Sequence, residues 1–126
     1  MPSSPSRFAQ VTGSLLVFLG IVFGAFAAHA AKDYLYNNGT LEIWKTGVLY
    51  QFVHGLAMLA VGGWAIRTRG PVVCWLIGTI CFSGSLYLLA YDPNWRLLGP
   101  ITPIGGLFFM IGWIWLIAKL LQNRAA

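Results

Sequence analysis

The sequence predicts an all-α integral membrane protein, folded as a four-helix transmembrane up-down bundle that forms one domain over residues 1–126. Of the 126 residues, 58% are hydrophobic and only 9% are charged, whereas a soluble domain carries about a quarter charged residues. The charged residues separate four long uncharged windows. Each window has the roughly 20 residues that one helix needs to cross a bilayer. This composition excludes a soluble enzyme, a disordered chain and a disulfide-linked secreted scaffold.

The first predicted span covers residues 8–30 and carries a ridge of small residues. Gly20, Gly24 and Ala28 follow one another at four-residue spacing, which lets a second helix backbone approach closely. The sequence Ala28-His29-Ala30 leaves open a cleavable signal peptide, because an A-x-A site follows an apolar run. The run is longer than a signal peptide usually has, so retention of this helix is the preferred interpretation.

Three further spans are predicted, at residues 46–66, 71–90 and 102–121. Their apolar residues do not alternate with polar ones, so helices are predicted and not the strands of a membrane barrel. The longest connection, Lys32–Lys45, is interpreted as a loop. Thr102 and Pro103 are expected at the start of the last helix, as its N-cap and first helical residue.

The charged residues indicate the orientation of the spans. The net charge is +5, and the rule that basic residues accumulate in the cytoplasm favours a cytoplasmic N-terminus and C-terminus. All three acidic residues then lie outside. The basic residues form no stripe, so the lipid bilayer is the expected partner and nucleic acid is not. The cytoplasmic basic residues would be Arg7, Arg67, Arg69, Lys119 and Arg124, and the external ones Lys32, Lys45 and Arg96.

Polar residues within the spans concentrate in the predicted outer half of the bilayer. Residues of this kind face the interior of a bundle or a water-filled cavity. The candidate polar cluster consists of His29, Tyr50, Gln51, His54, Ser83, Ser85, Tyr87 and Thr102. Besides the ridge of the first span, helix packing is expected at Gly84, Gly105 and Gly106. The aromatic-rich stretch from Phe108 to Trp115 is interpreted as a lipid-facing or packing surface.

Four interpretations of the polar cluster remain open. His29 and His54 could bind a metal, although two ligands make an incomplete site. His54 could relay protons or bind a small solute beside Tyr50 and Tyr87. Catalysis with Ser83 or Ser85 lacks an acidic residue within the spans. The leading interpretation is that these side chains form hydrogen bonds between helices and fix their packing.

Four motifs in order resemble a known family: Gly24-Ala25-Phe26-Ala27-Ala28-His29, Tyr50-Gln51-x-x-His54, Phe82-Ser83-Gly84-Ser85-Leu86-Tyr87-Leu88-Leu89 and Thr102-Pro103-Ile104-Gly105-Gly106 with Gly112-Trp113. The series is similar to the domain-of-unknown-function family 423, which includes YgdD-like and YwdK-like membrane proteins. The resemblance covers nearly the whole chain, with one motif per span. It implies a small four-helix protein of the bacterial inner membrane that retains its first helix. It supplies no activity.

The sequence therefore predicts a non-enzymatic membrane component, a small accessory or oligomeric subunit with no cofactor. Its expected context is a homo-oligomer or a larger membrane complex. The alternative is a small-solute or proton-coupled carrier that uses an outer-half cavity around His54. A dry cluster with all its hydrogen bonds satisfied favours the subunit, and an open, wet cavity favours the carrier.

Overall fold

The computed structural model describes residues 3–125 of the chain, which are organised as α-helices with no strand among them. Four long helices and one short helix follow one another, with a single 3-10 turn, Arg96–Leu98, before the last. The all-helical prediction is confirmed for this part of the chain. The helices are α1 (Arg7–Ala28), α2 (Lys32–Asn37), α3 (Leu41–Gly62), α4 (Arg69–Tyr91) and α5 (Ile101–Ala125).

The short helix α2 lies in the segment that the sequence analysis interpreted as a loop. It ends where Gly39 adopts a positive φ of 71°, a conformation that glycine reaches without steric cost and that commonly terminates helices. The only buried residue of α2 is Leu35. This side chain packs into the end of the bundle with Ala31, Trp44 and Ala90, so α2 covers that end.

Within residues 3–125, three segments are long and apolar enough to cross a membrane: α1, α4 and the stretch Arg96–Asn123, which covers most of α5. Helix α3 has similar length, with 22 residues, but is not among them. Its hydropathy is lowered by Glu42 and Lys45 in its first turns and by Gln51 and His54 further along. The structure therefore agrees with the predicted all-helical class. By length and apolarity it supports three of the four predicted membrane spans.

The long helices pack antiparallel, each against the next one along the chain, in the order α1, α3, α4, α5. The direction is visible from contacting pairs of α1 and α3, because Gly13 lies against Gly55 while Gly20 lies against Phe52. The same reversal relates α4 to α5, because Gly70 lies against Trp115 while Phe82, further along α4, lies against Gly105. Short connections between consecutive long helices favour such an antiparallel order.

Glycine allows the closest approach between α1 and α3. A Cβ at Gly13 would lie 2.6 Å from the Gly55 oxygen and 2.7 Å from the Leu59 nitrogen. Both neighbours are backbone atoms and cannot rotate away as a side chain would. The two helix backbones are therefore in direct contact at this position, as at other small-residue crossings in membrane proteins.

The ridge predicted on α1 runs along a different line. Gly20 is buried against the ring of Phe52, and Gly24 has only an ordinary van der Waals neighbour in Val48. Ala28 is exposed, and Ala27 takes the buried position at this level. The buried positions of α1 are Ala9, Gly13, Gly20 and Ala27. Their separations of four and seven residues keep one face towards α3, whereas a strict four-residue spacing drifts off that face.

The glycines of α4 and α5 have unequal roles. A Cβ at Gly105 would meet backbone atoms of Phe82, so glycine at this position allows α4 and α5 to pack closely. A Cβ at Gly106 would only reach the edge of the Phe82 ring, at 4.0 Å. Gly84 has no atom within 4 Å of its Cβ position, and the packing role expected for it corresponds to no contact.

Two apolar clusters fill the bundle, one towards each end. The cluster near the chain termini includes Met58, Val72, Trp75 and Leu116. The other surrounds Trp44 and Val48 and reaches Leu35 of α2. Many large apolar side chains point outwards along the long helices, among them Ile80 and Ile114. An apolar exterior of this extent is what a lipid environment stabilises.

The glycine contact between α1 and α3 predicts a contrast between two identical substitutions. Gly13→Ala forces the two backbones apart and should cost about 1–3 kcal/mol of stability. Gly84→Ala adds a methyl group in open space within a helix, and should be neutral or stabilising by up to about 1 kcal/mol. Thermal unfolding in detergent measures both. Equal melting temperatures for the two variants would contradict the packing described here.

Candidate functional site

A hydrogen-bonded bridge centred on Gln51 joins three helices. Gln51 lies on α3 and is 3% exposed. Its Nε2 donates to the carbonyl oxygen of Leu16 on α1, at 2.8 Å. Its Oε1 accepts from the hydroxyl of Tyr87 on α4, at 2.6 Å. The amide therefore uses both ends of its side chain to connect α1, α3 and α4.

A second bond between α3 and α4 lies beside this bridge. The Ser83 hydroxyl donates to the carbonyl oxygen of Gly47, at 2.7 Å. A Cβ at Gly47 would lie 2.8 Å from the Tyr87 ring. Glycine at this position thus gives the Tyr87 ring room to pass α3 and leaves the Gly47 carbonyl open to Ser83.

His54 has a hydrogen-bond partner at each ring nitrogen. Its Nε2 accepts from the indole Nε1 of Trp113 on α5, at 3.0 Å. Its Nδ1 lies 2.8 Å from the carbonyl oxygen of Tyr50, one turn earlier on α3. Since an indole N–H only donates and a carbonyl only accepts, these partners assign the proton of a neutral imidazole to Nδ1. The imidazole also stacks on Phe109, with ring centroids 3.7 Å apart.

The helices α4 and α5 are joined by a hydroxyl pair. Ser85 Oγ lies 2.5 Å from Thr102 Oγ1 and 2.9 Å from the carbonyl oxygen of Phe82. A serine hydroxyl has one hydrogen, so a donor to Phe82 would accept from Thr102. Thr102 was expected as the N-cap of the last helix, but α5 already begins at Ile101, and the threonine instead contacts α4.

Two side chains of the candidate cluster make no hydrogen bond within the described residues, although the carbonyl oxygen of Tyr50 is the partner of His54 Nδ1. His29 is exposed at the end of α1, and Tyr50 is 39% exposed, with its ring 4.6 Å from that of Phe82. Gly24 and Val48 are neighbours, which places His29 and His54 on opposite sides of that level. They are separated by about 16 Å along the bundle at 1.5 Å per residue. The two histidines therefore cannot share one metal ion.

Several further side chains donate hydrogen bonds to the backbone of another helix and were not predicted from the sequence. Trp44 Nε1 donates to the carbonyl oxygen of Phe23, at 2.9 Å. Thr40 Oγ1 donates to that of Ala90, at 2.8 Å, and Tyr34 OH to that of Tyr91, at 2.7 Å. Trp113 lies on the surface interpreted as lipid-facing or packing and is 37% exposed, but its pairing with His54 was not predicted. The pairing of Gly112 with Trp113 in the last motif was the available signal.

The hydrogen bonds of the cluster join the helices to one another. Across residues 3–125, no three His, Cys, Asp or Glu side chains lie close enough to form a metal-binding group. The acidic residues lie outside the polar cluster, in α2, in the first turn of α3 and after α4. The five best-defined surface depressions of residues 3–125 are lined by residues other than His54, Gln51 and Tyr87.

Apolar helices with a polar interior bonded between helices define a helical membrane protein. Residues 23–106 match the profile of a family described as "Protein of unknown function (DUF423)". The chain belongs to this family of uncharacterised membrane proteins, as the four sequence motifs indicated. No solved structure matches it.

Relatives extend the similarity over most of the chain. A UPF0382 membrane protein of Haemophilus influenzae is 44% identical over 77% of this chain and 80% of its own length. The UPF0382 membrane protein YwdK of Bacillus subtilis is 34% identical over 85% of this chain and 90% of its own. The UPF0382 inner membrane protein YgdD of Escherichia coli is 36% identical over 86% and 85%.

The Gln51 bridge predicts unequal effects for two tyrosine substitutions. Tyr87→Phe removes the donor to a buried amide oxygen and should cost about 1–3 kcal/mol of unfolding free energy. Tyr50→Phe removes the hydroxyl of a 39% exposed residue. That hydroxyl makes no hydrogen bond within the described residues, so stability should change by less than about 0.5 kcal/mol. Chemical unfolding in mixed micelles compares the two variants. A Tyr87→Phe protein as stable as Tyr50→Phe would show that the bridge is not formed.

Proposed function

We propose that the chain is a non-enzymatic component of the bacterial inner membrane, acting as a small accessory or oligomeric subunit. The observation that carries this proposal is the use of the interior polar groups. Gln51, Ser83 and His54 each spend their hydrogen-bonding atoms on a neighbouring helix or on their own backbone. A buried polar group that is fully paired stabilises a fixed packing and leaves no free site for a substrate.

In this proposal all four long helices cross the bilayer, including α3. Its polar side chains do not oppose insertion, because Gln51 and His54 are both 3% exposed and paired inside the bundle. Lipid then meets mainly apolar residues of α3, such as Leu49, Val53 and Leu56. Polar residues within membrane helices are tolerated when they face the protein interior in this way.

Partner contacts would have to form within the membrane. The connections outside the long helices are short, and the longest is the segment containing α2. The outer helices α1 and α5 each pack mainly against one neighbour and expose apolar side chains along their length, including Phe18 and Trp115. These two surfaces are where we place contacts with another copy or with another membrane protein.

We propose that both termini lie in the cytoplasm. This orientation of the protein rests on the excess of basic residues at the end of the bundle that carries Arg7, Arg67, Arg69 and Lys119. A reporter active only in the cytoplasm, fused after Arg124, should be active, and one inserted between α2 and α3 should not. The opposite pattern in the two fusions would overturn the orientation.

The carrier alternative is tested at His54. Reconstituted in vesicles with an imposed pH gradient, the protein should carry no proton flux above that of empty vesicles. A His54→Gln variant should give the same baseline, while its stability falls by about 1–3 kcal/mol through loss of the Trp113 pairing. Proton flux that His54→Gln abolishes would favour the carrier.

Native electrophoresis of membranes should show the chain in a species larger than its 13.8 kDa monomer.

A further inference from the structure

A groove between α4 and α5 combines basic residues with an apolar wall. It has a volume of about 500 Å³ and is lined by Arg67, Arg69, Gly70, Val73, Cys74, Trp115 and Lys119. The three cations stand at the end of the bundle where α4 begins. Val73 and Cys74 extend the wall by about 6–8 Å along α4 beyond Arg69, at 1.5 Å per residue. The groove therefore runs from a charged rim towards the middle of the helices.

Arg67 lines this groove and also two neighbouring depressions. One of these is also lined by Lys119, Gln122 and Asn123, and the other by Arg69 and residues 3–6. None of the acidic side chains of the chain lies at this end. Asp33, Glu42 and Asp92 are in α2, in the first turn of α3 and directly after α4, all at the opposite end. The rim thus has a concentrated positive charge.

One wall of the groove is an indole that packs against a glycine. A Cβ at Gly70 would lie 2.5 Å from the Trp115 ring, so the indole rests directly on the first turn of α4. Trp115 remains 45% exposed and Val73 36% exposed. An exposed indole beside apolar side chains, just below a cluster of cations, is the composition of a membrane–water interface.

We propose that this groove binds one anionic phospholipid. The phosphodiester would lie between Arg67, Arg69 and Lys119, since guanidinium groups bind phosphate oxygens through paired hydrogen bonds and lysine adds a point charge. The first part of an acyl chain would cover Val73, Cys74 and Trp115. Basic pockets between membrane helices recognise anionic headgroups in this way. With the orientation proposed above, the lipid belongs to the cytoplasmic leaflet; the binding itself does not depend on that orientation.

The test is native mass spectrometry of the full chain in detergent with equal amounts of phosphatidylglycerol and phosphatidylcholine that have the same acyl chains. The unmodified protein should retain phosphatidylglycerol at least about tenfold more, because each basic residue near a membrane surface contributes roughly fivefold to binding. The triple variant R67Q/R69Q/K119Q should lose this preference. The matched variant K32Q/K45Q/R96Q removes three cations from the opposite end and should retain it. Equal loss in both would reduce the effect to net charge and overturn the proposal.

A second pair of variants tests the apolar wall. Val73→Trp fills the groove and keeps every cation, so it should lower phosphatidylglycerol retention several-fold. Ile80→Trp places the same residue two turns further along α4 at an exposed position, and should leave retention unchanged. Inorganic phosphate added in excess should not displace the lipid. Displacement by phosphate, or insensitivity to Val73→Trp, would show that the groove binds a phosphate group alone and would contradict a lipid site.

Discussion

The structure depends on one constraint, which is that the buried polar side chains of α3 need hydrogen-bond partners on the neighbouring helices. The constraint is looser elsewhere among the described residues, since Thr79 bonds within its own helix and the buried Trp75 Nε1 has no partner. Gln51 meets this constraint by bonding to the backbone of α1 and to Tyr87 of α4. His54 meets it through Trp113 of α5. These side chains sit on α3, the one long helix whose apolarity alone does not mark it as a membrane span. Its polar residues are therefore the centre of the bundle, and the more apolar helices surround them.

Glycine makes these bonds geometrically accessible. The backbones of α1 and α3 touch at Gly13, which brings a short amide side chain within reach of the Leu16 carbonyl. Gly47 admits the Tyr87 ring on the other side of α3. Because a carbonyl oxygen has two lone pairs, a helix backbone can accept such a bond without losing its own. Close packing and hydrogen bonding thus support each other, and neither accounts for the structure alone.

Much of this could be predicted from the sequence, because composition and charge spacing constrain helices in lipid strongly. The long helices followed from that pattern. So did the selection of four interior polar residues, Gln51, His54, Ser83 and Tyr87. Partner identity did not follow, since it depends on the rotation of each helix about its axis. Hence the pairing of Trp113 with His54 was not predicted, and Ala28 was assigned to a ridge position that Ala27 occupies. His29 belongs to the first of the four motifs but lies just beyond the end of α1, where it is exposed.

The most direct measurement of the central claim is the 15N NMR spectrum of the His54 imidazole in lipid bilayers. We expect a neutral His54 ring with its proton on Nδ1 and with Nε2 hydrogen-bonded to an indole. We also expect no magnetisation transfer from water to this ring. Those features together would establish a dry, internally paired cluster. A ring protonated at Nε2 that exchanges magnetisation with water would contradict the account, because it would place His54 in a hydrated cavity.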